Sequence, residues 1–177
     1  QSGVTFHQMT EQIDDGPILA QYRFDVDDSD TAGSVYEKAA QTAEDHIMEV
    51  LEHVGHDGVR GTPQNEALAS YDAQLNEEAL YLDWSRPALD LARLVRAGCP
   101  FSPARFLHLG RTAYVWEVAA IEGSTGAEPG TVLETQPSVK VATGNGALVI
   151  REASVYPVFP TPWPGRWFRP RVGERLR

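Results

Sequence analysis

Five histidines, a scatter of carboxylates and a single cysteine are the groups in this sequence able to move protons, hold ions or attack carbon. The most suggestive arrangement is Ile13-Asp14-Asp15-Gly16-Pro17, with His7 seven residues upstream of Asp14. A carboxylate can orient an imidazole and raise its pKa where a fold brings the two together, but sequence nearness alone does not give His7 that part. Asp-Asp-Gly is also a turn sequence, because Asp accepts hydrogen bonds from nearby backbone and tolerates the left-handed conformation. On its own, Asp14 therefore reads as turn chemistry. Asp15 reads as the turn residue, and His7 as a partly buried strand position.

Other candidates carry less. His53 and His56 lie one helical turn apart, near His46 and Asp57. Zinc, however, wants a third protein ligand and partners that hold its ligands in place. Gly55 between them marks a solvated helix end, where an imidazolium meets the negative pole of the dipole, so no metal site is assigned. Cys99 reads as a small buried hydrophobe. As the only cysteine it forms no internal disulfide, which fits a reducing compartment. Gly144-Asn145-Gly146 lacks the third glycine and following helix of a nucleotide fingerprint. Trp84, Trp116, Trp163 and Trp167 offer rings on which bases stack, although Trp84 reads as packing.

The elements around these residues follow from periodicity. Residues 4–9 and 18–24 are short strand-like runs flanking the loop Thr10–Pro17, and Asp25–Asp30 is an acidic loop. Val35, Ala39, Ala43, Ile47, Val50, Leu51 and Val54 recur at helical spacing, with Ser29, Asp30 or Thr31 as cap and Gly55 as stop. Residues 56–78 read as an extended connection. A second helix carries Ala88, Leu91, Ala92, Leu94 and Val95, with Ser85 or Arg86 as cap and Pro87 in its first turn. Beyond Arg105 come short strands: 113–121, 131–135, 139–143 and 147–151. The last two are joined by an Asn-Gly hairpin with φ above zero at both turn positions. Strands at this spacing predict a small antiparallel barrel, and Pro157–Pro170 an extended, surface-hugging tail.

With 177 residues, 42% of them apolar, the chain suits one ordinary domain or two small ones. No stretch approaches the roughly 18 apolar residues that a membrane span needs, and no secretory signal is visible; the expected location is cytoplasmic. Net charge is −10, yet the last 17 residues hold five arginines against one glutamate, so the remainder is more acidic still. Such a body repels phosphate backbones and argues against extensive nucleic-acid contact. Gln1 is not an initiator Met, and Ser2-Gly3-Val4-Thr5-Phe6 already reads as strand, so further sequence is expected before it.

Three stretches resemble the 10-formyltetrahydrofolate-dependent formyltransferases, the family of methionyl-tRNA formyltransferase and the small-amine N-formyltransferases. Ser2-Gly3-Val4-Thr5-Phe6-His7-Gln8-Met9 followed by Ile13-Asp14-Asp15-Gly16-Pro17-Ile18 resembles the signature that closes the folate-binding catalytic domain. Leu82-Asp83-Trp84 with Pro87-Ala88 and Arg96-Ala97 resembles the motifs at the domain junction. Pro100, Pro103-Ala104-Arg105-Phe106 and Gly130-Thr131-Val132 resemble the C-terminal barrel. The resemblance implies an α/β plus β fold: the last strands and helix of a Rossmann-like domain with its connecting loop (1–78), a linker helix region (79–99), and an OB-like antiparallel β-barrel with tail (100–177).

In that family an amine attacks the formyl carbon of 10-formyltetrahydrofolate, and an Asn and a His stabilise the oxyanion and shuttle the proton. The resemblance assigns the carboxylate partner of that His to Asp14, and the backbone of Gln12, Ile13 and Asp14 to the wall of the pterin pocket. It provides neither the Asn nor the His, so a missing N-terminal half is implied and this chain alone is expected to be inactive. The acceptor expected is a small-molecule amine, such as hydroxyornithine or an amino sugar. Initiator methionyl-tRNA is the alternative, although Asp72-Ala73-Gln74-Leu75 departs from the Pro-Lys-Leu segment common in tRNA-directed members. A non-catalytic OB-type binding module is the further alternative.

Overall fold

The computed structural model describes residues 1–57, 61–71, 76–155 and 168–177, with the backbone alone for 55–57. Two compact units emerge, Gln1–Gln74 and Leu75–Arg177.

In the first unit, β1 (Ser2–His7) and β2 (Ile18–Phe24) form an antiparallel pair with Val4 opposite Tyr22 and Thr5 opposite Gln21. Strand alternation divides their side chains between two faces. Val4, Phe6 and Tyr22 point toward α1 (Ala32–Asp57), and Tyr22 stacks on His46 with ring centroids 3.6 Å apart. The other face, with Gly3, Thr5, Gln21 and Arg23, is exposed and lines a shallow polar depression.

Thr31 caps α1. Its Oγ1 accepts from the Ser34 backbone N–H, and Ser34 Oγ accepts in return from the Thr31 N–H, the reciprocal arrangement of a capping box. Lys38 reaches back from the helix to Asp30 (2.6 Å), Asp27 (3.1 Å) and the Asp25 carbonyl. The Lys38 ammonium, the Asp27 backbone N–H and Ser34 together hold the Asp30 carboxyl at about 2, against an ordinary 3.8. Because the folded-state value is depressed, the stabilisation is complete above pH 3.8 and is lost as pH falls through about 2. Asp30→Asn is therefore expected to lower the melting temperature of the first unit at pH 6. That gap should close between pH 4 and 2; a gap that persists at pH 2 contradicts it.

Two expectations for α1 are corrected. The helix runs past Gly55 to Asp57, so that glycine does not stop it. Ile47 and Leu51, counted among the buried stripe, are 38% and 54% exposed, and only Val50 of that stripe is buried. Val35, Ala39, Ala43 and Val54 of the stripe are half-buried, and the polar Thr42 and His46, which a hydrophobicity count passes over, are half-buried with them, His46 stacked on Tyr22.

The second unit is a five-stranded antiparallel sheet of order β3-β4-β7-β6-β5. Its strands are β3 (Ala104–His108), β4 (Arg111–Ile121), β5 (Val132–Glu134), β6 (Val139–Ala142) and β7 (Ala147–Ser154). The sheet curls, because one C-terminal segment hydrogen-bonds both its edges. Leu107 and Arg177 exchange backbone bonds at β3, while Val132 N donates to the Glu174 carbonyl and Leu176 N to the Gly130 carbonyl beside β5. Inside lie Phe106, Val115, Val132, Val139, Val141, Leu148 and Ile150, joined by Phe168 and Leu176 from the chain end. Phe168 and Pro170 are buried, so the far end of the expected surface-hugging tail enters the core; residues 156–167 lie outside the described part.

Helix α2 (Ala88–Gly98) covers the sheet with Leu91, Ala92 and Val95. Neither Ser85 nor Arg86 caps it. Pro87 is the N-cap, and the Ala88 N–H donates to the Asn145 carbonyl across the fold. Ser85 is engaged elsewhere, donating through N and Oγ to Asp83 Oδ1, which keeps the Asp83 carboxyl below its usual range. The Asn145 turn pays for this service with its geometry: only Gly146 has a positive φ, 93°, not both turn residues. Gly144 N donates to the Trp84 and Arg86 carbonyls, and a Cβ there would stand 1.7 Å from the Ser85 oxygen. Tertiary contact has overridden the local turn preference. A turn with both φ positive does occur at Leu109 (49°) and Gly110 (74°), between β3 and β4, where a leucine gave no such signal.

Candidate active site

Asp14 sits in the loop between β1 and β2, which closes where Gln8 N donates to the Pro17 carbonyl at 3.0 Å. Its φ is +57°, a left-handed conformation that Asp adopts more readily than most residues. Gly16 is needed where it stands, since a Cβ would lie 1.6 Å from the Gln8 oxygen. The structure brings Asp14 and His7 together: His7 Nε2 is 3.7 Å from Asp14 Oδ1, and its Nδ1 lies 3.2 Å from the Gln8 carbonyl. Nδ1 thus faces the Gln8 carbonyl and Nε2 faces the Asp14 carboxylate. The Asp14 side chain is 88% exposed and that of His7 27%. Ile13 is 93% exposed, and Gln12 and Asp15 are exposed as well. The loop presents its functional groups outward from the unit.

A third contributor comes from far along the chain, in the stretch read as a plain connection. Ile18 and Thr62 exchange backbone bonds of 2.8 Å each, which lays residues 61–65 alongside the start of β2. Gly61 packs its backbone on Pro17, where a Cβ would come within 2.5 Å of the proline ring. From there Gln64 Nε2 donates to the carbonyl of Asp14 (2.7 Å) and to that of Gly16 (2.8 Å). A side-chain amide that meets backbone 50 residues away leaves no periodic trace.

The remaining candidates find structural work. His46 stacks on Tyr22, and His53 Nδ1 lies 2.9 Å from the Glu49 carbonyl; the side chains of His56 and Asp57 lie outside the described residues. Trp84 is buried against Phe106, and Trp116 is buried with Nε1 donating to Ser154 Oγ at 2.8 Å, so neither is free to stack on a base. Trp163 and Trp167 lie outside the described residues, as do Asp72–Leu75. Burial pushes the Cys99 thiol above its usual range, with help from the Glu152 charge. That disfavours the thiolate a nucleophile needs. Arg105 lies between the rings of Tyr81 and Tyr114, 5.8 and 5.4 Å from their centres, tying the segment before α2 to β3. No described helix is long and apolar enough to cross a membrane.

Two family models match in tandem: "Formyl transferase" over residues 1–51, which includes Asp14 and its loop, and "Formyl transferase, C-terminal domain" over residues 74–155. The chain belongs to the formyltransferase family. Solved structures show the same fold in longer proteins. HypX from Aquifex aeolicus, in complex with tetrahydrofolic acid, is 23% identical with a TM-score of 0.69, covering 85% of this chain and 27% of that one. An N-formyltransferase from Helicobacter canadensis, in complex with folinic acid and dTDP-3-aminofucose, is 18% identical with a TM-score of 0.62, covering 84% and 54%. WlaRD, a sugar 3N-formyl transferase crystallised with dTDP and 5-N-formyl-THF, is 16% identical, with the same TM-score and coverage. This formyltransferase chain thus spans about a quarter to a half of the structures it matches.

Proposed function

We propose that this chain forms part of an enzyme that transfers a formyl group from 10-formyltetrahydrofolate to an amine, and that the amine is a small molecule. The observation that carries this reading is the tandem match of the two formyl transferase models, over residues 1–51 and 74–155; the role of the family's carboxylate is given to Asp14 on the resemblance of the motif around it. In the transfer, the amine nitrogen bonds to the formyl carbon and the bond from that carbon to N10 breaks. The proton shed by the amine is returned to N10. Asp14 steadies the imidazole that carries the proton, and exposed Ile13 beside it gives a pterin ring an apolar surface to pack on. The loop backbone from Gln12 to Asp14 lines that pocket. The acidic charge of the chain favours a small amine, such as an amino sugar or hydroxyornithine, over methionyl-tRNA.

The first unit supports the partial character of the chain. Val50 is the only buried hydrophobic residue among its described residues, whereas Tyr36, Met48, Leu51, Met9 and Ile13 are exposed. So small a core contributes little toward offsetting the entropy of ordering a unit of this size. We read residues 1–78 as the closing part of a Rossmann-like catalytic domain, completed by an N-terminal half that carries the Asn and His. Residues 79–99 are the linker, and 100–177 an OB-type barrel, in a cytoplasmic protein. The test measures tetrahydrofolate release from 10-formyltetrahydrofolate across a panel of amines. A polypeptide joining this chain to that N-terminal half should turn over, and this chain alone should not. Absence of transfer to every amine by the joined polypeptide would favour the binding-module reading; turnover by this chain alone would refute the division of the site.

A further inference from the structure

We infer that Gln64 is a positioning residue for the reaction: its side-chain amide sets the backbone of the Asp14 loop and thereby aims the carboxylate. The inference rests on the catalytic reading of Asp14. Among the described residues the Asp14 carboxylate has one close ionisable partner, His7 at 3.7 Å, so side-chain contacts do little to fix its direction. Its direction follows from the backbone, which is held in a left-handed conformation at φ +57°. Gln64 grips that backbone on both sides of Asp15, with one amide nitrogen donating to the Asp14 and Gly16 carbonyls. The grip is supported in turn. The paired bonds between Ile18 and Thr62 set the approach of the segment, Gly61 allows it to touch Pro17, and Asn65 caps the turn that follows by accepting from Ala67 N.

The residue type suits the task. Two carbonyls require two N–H donors on one atom at the end of a reach of several bonds, which a primary amide supplies. A lysine would also donate, but its charge would compete with the imidazole for Asp14. The neutral amide leaves the carboxylate's field intact. Misplacement of a catalytic group by about 1 Å costs on the order of 100-fold in rate, so a clamp of this kind belongs to catalysis as much as to folding.

The decisive variant is Gln64→Glu, which keeps the shape and removes both donors; Gln64→Ala removes shape and donors together. In the polypeptide joined to its N-terminal half, both should speed amide hydrogen exchange at Gln8, Ile18 and Thr62, whose backbone bonds border the loop, while leaving the exchange of β3–β7 unchanged. In that polypeptide both should also lower kcat by roughly 10- to 100-fold, with KM for 10-formyltetrahydrofolate changed far less. Asp14→Asn is assayed alongside. If Asp14→Asn abolishes turnover while Gln64→Glu keeps wild-type kcat and exchange, the clamp is overturned and the role of Asp14 stands. If Gln64→Ala is impaired but Gln64→Glu is not, Gln64 merely fills space and the inference fails. If Asp14→Asn itself turns over normally, the catalytic reading falls and takes the clamp's purpose with it.

Discussion

Asp14→Asn is expected to lower kcat for formyl transfer by about 100- to 10,000-fold, the range typical of a lost acid–base contribution, with little change in KM for the folate donor. The substitution is close to isosteric, and Asn occupies the left-handed region as readily as Asp, so the loop conformation at φ +57° is retained. The carboxylate is 88% exposed and lies 3.7 Å from His7 Nε2; exposed contacts of this kind contribute little to stability even when charged. The variant should therefore fold and melt like the parent, which separates a loss of chemistry from a loss of structure. Asp15→Asn, one residue along the same exposed loop, removes the same charge and controls for net charge alone. An unchanged turnover number for Asp14→Asn, or an equal fall for Asp15→Asn, would remove the proposed role. The comparison belongs in the joined polypeptide at a pH near 7, where the family's imidazole is to exchange its proton.

The legibility of this molecule divides along physical lines. Strand β2 at 18–24 and the hairpin strands around 139–151 announced themselves because alternation and punctuation are local properties of sequence. The position of Asp14 between β1 and β2 was legible for the same reason, aided by the flanking family motifs. What escaped was set by distance. Gln64 bonds backbone far upstream, Asn145 gives its carbonyl to a helix nearly sixty residues before it, and His46 lies flat on Tyr22. None of these follows from propensity. The misjudged part of α1 has another origin: Ile47 and Leu51 have the right residue types and nearly the right phase, but His46 holds the position that meets β2, and Thr42 is half-buried where they are exposed. Apolar type stands in for burial only where a partner exists to bury against. On the reading proposed above, the exposed stripe of Tyr36, Ile47, Met48 and Leu51 is where the N-terminal half packs.

The chain end gives the largest structural effect. Phe168→Ala is expected to destabilise the second unit by about 3–5 kcal/mol, as for other buried aromatic truncations. Phe168 is 1% exposed, with its ring 5.3 Å from Phe106 and 4.7 Å from His108, both edge-on. The loss reaches beyond one cavity because Phe168 heads the segment that closes the sheet. His108 Nε2 and Glu174 Oε1 meet at 2.9 Å with the histidine buried, and Glu174 Oε2 also accepts from Arg171 N. Leu176 is buried while its neighbours bond to β3 and β5. With Phe168 removed, the bonds of residues 173–177 hold a segment that has lost its main apolar anchor. The two edge strands then expose unpaired backbone, and an exposed edge invites association. Urea denaturation of the chain should show a lower midpoint, and native-state exchange should report early loss of protection at Leu107 and Val132, whose amides donate to Arg177 and Glu174. Wild-type protection at both amides in Phe168→Ala would mean that the strand bonds close the sheet unaided, and that the aromatic ring is a passenger on them.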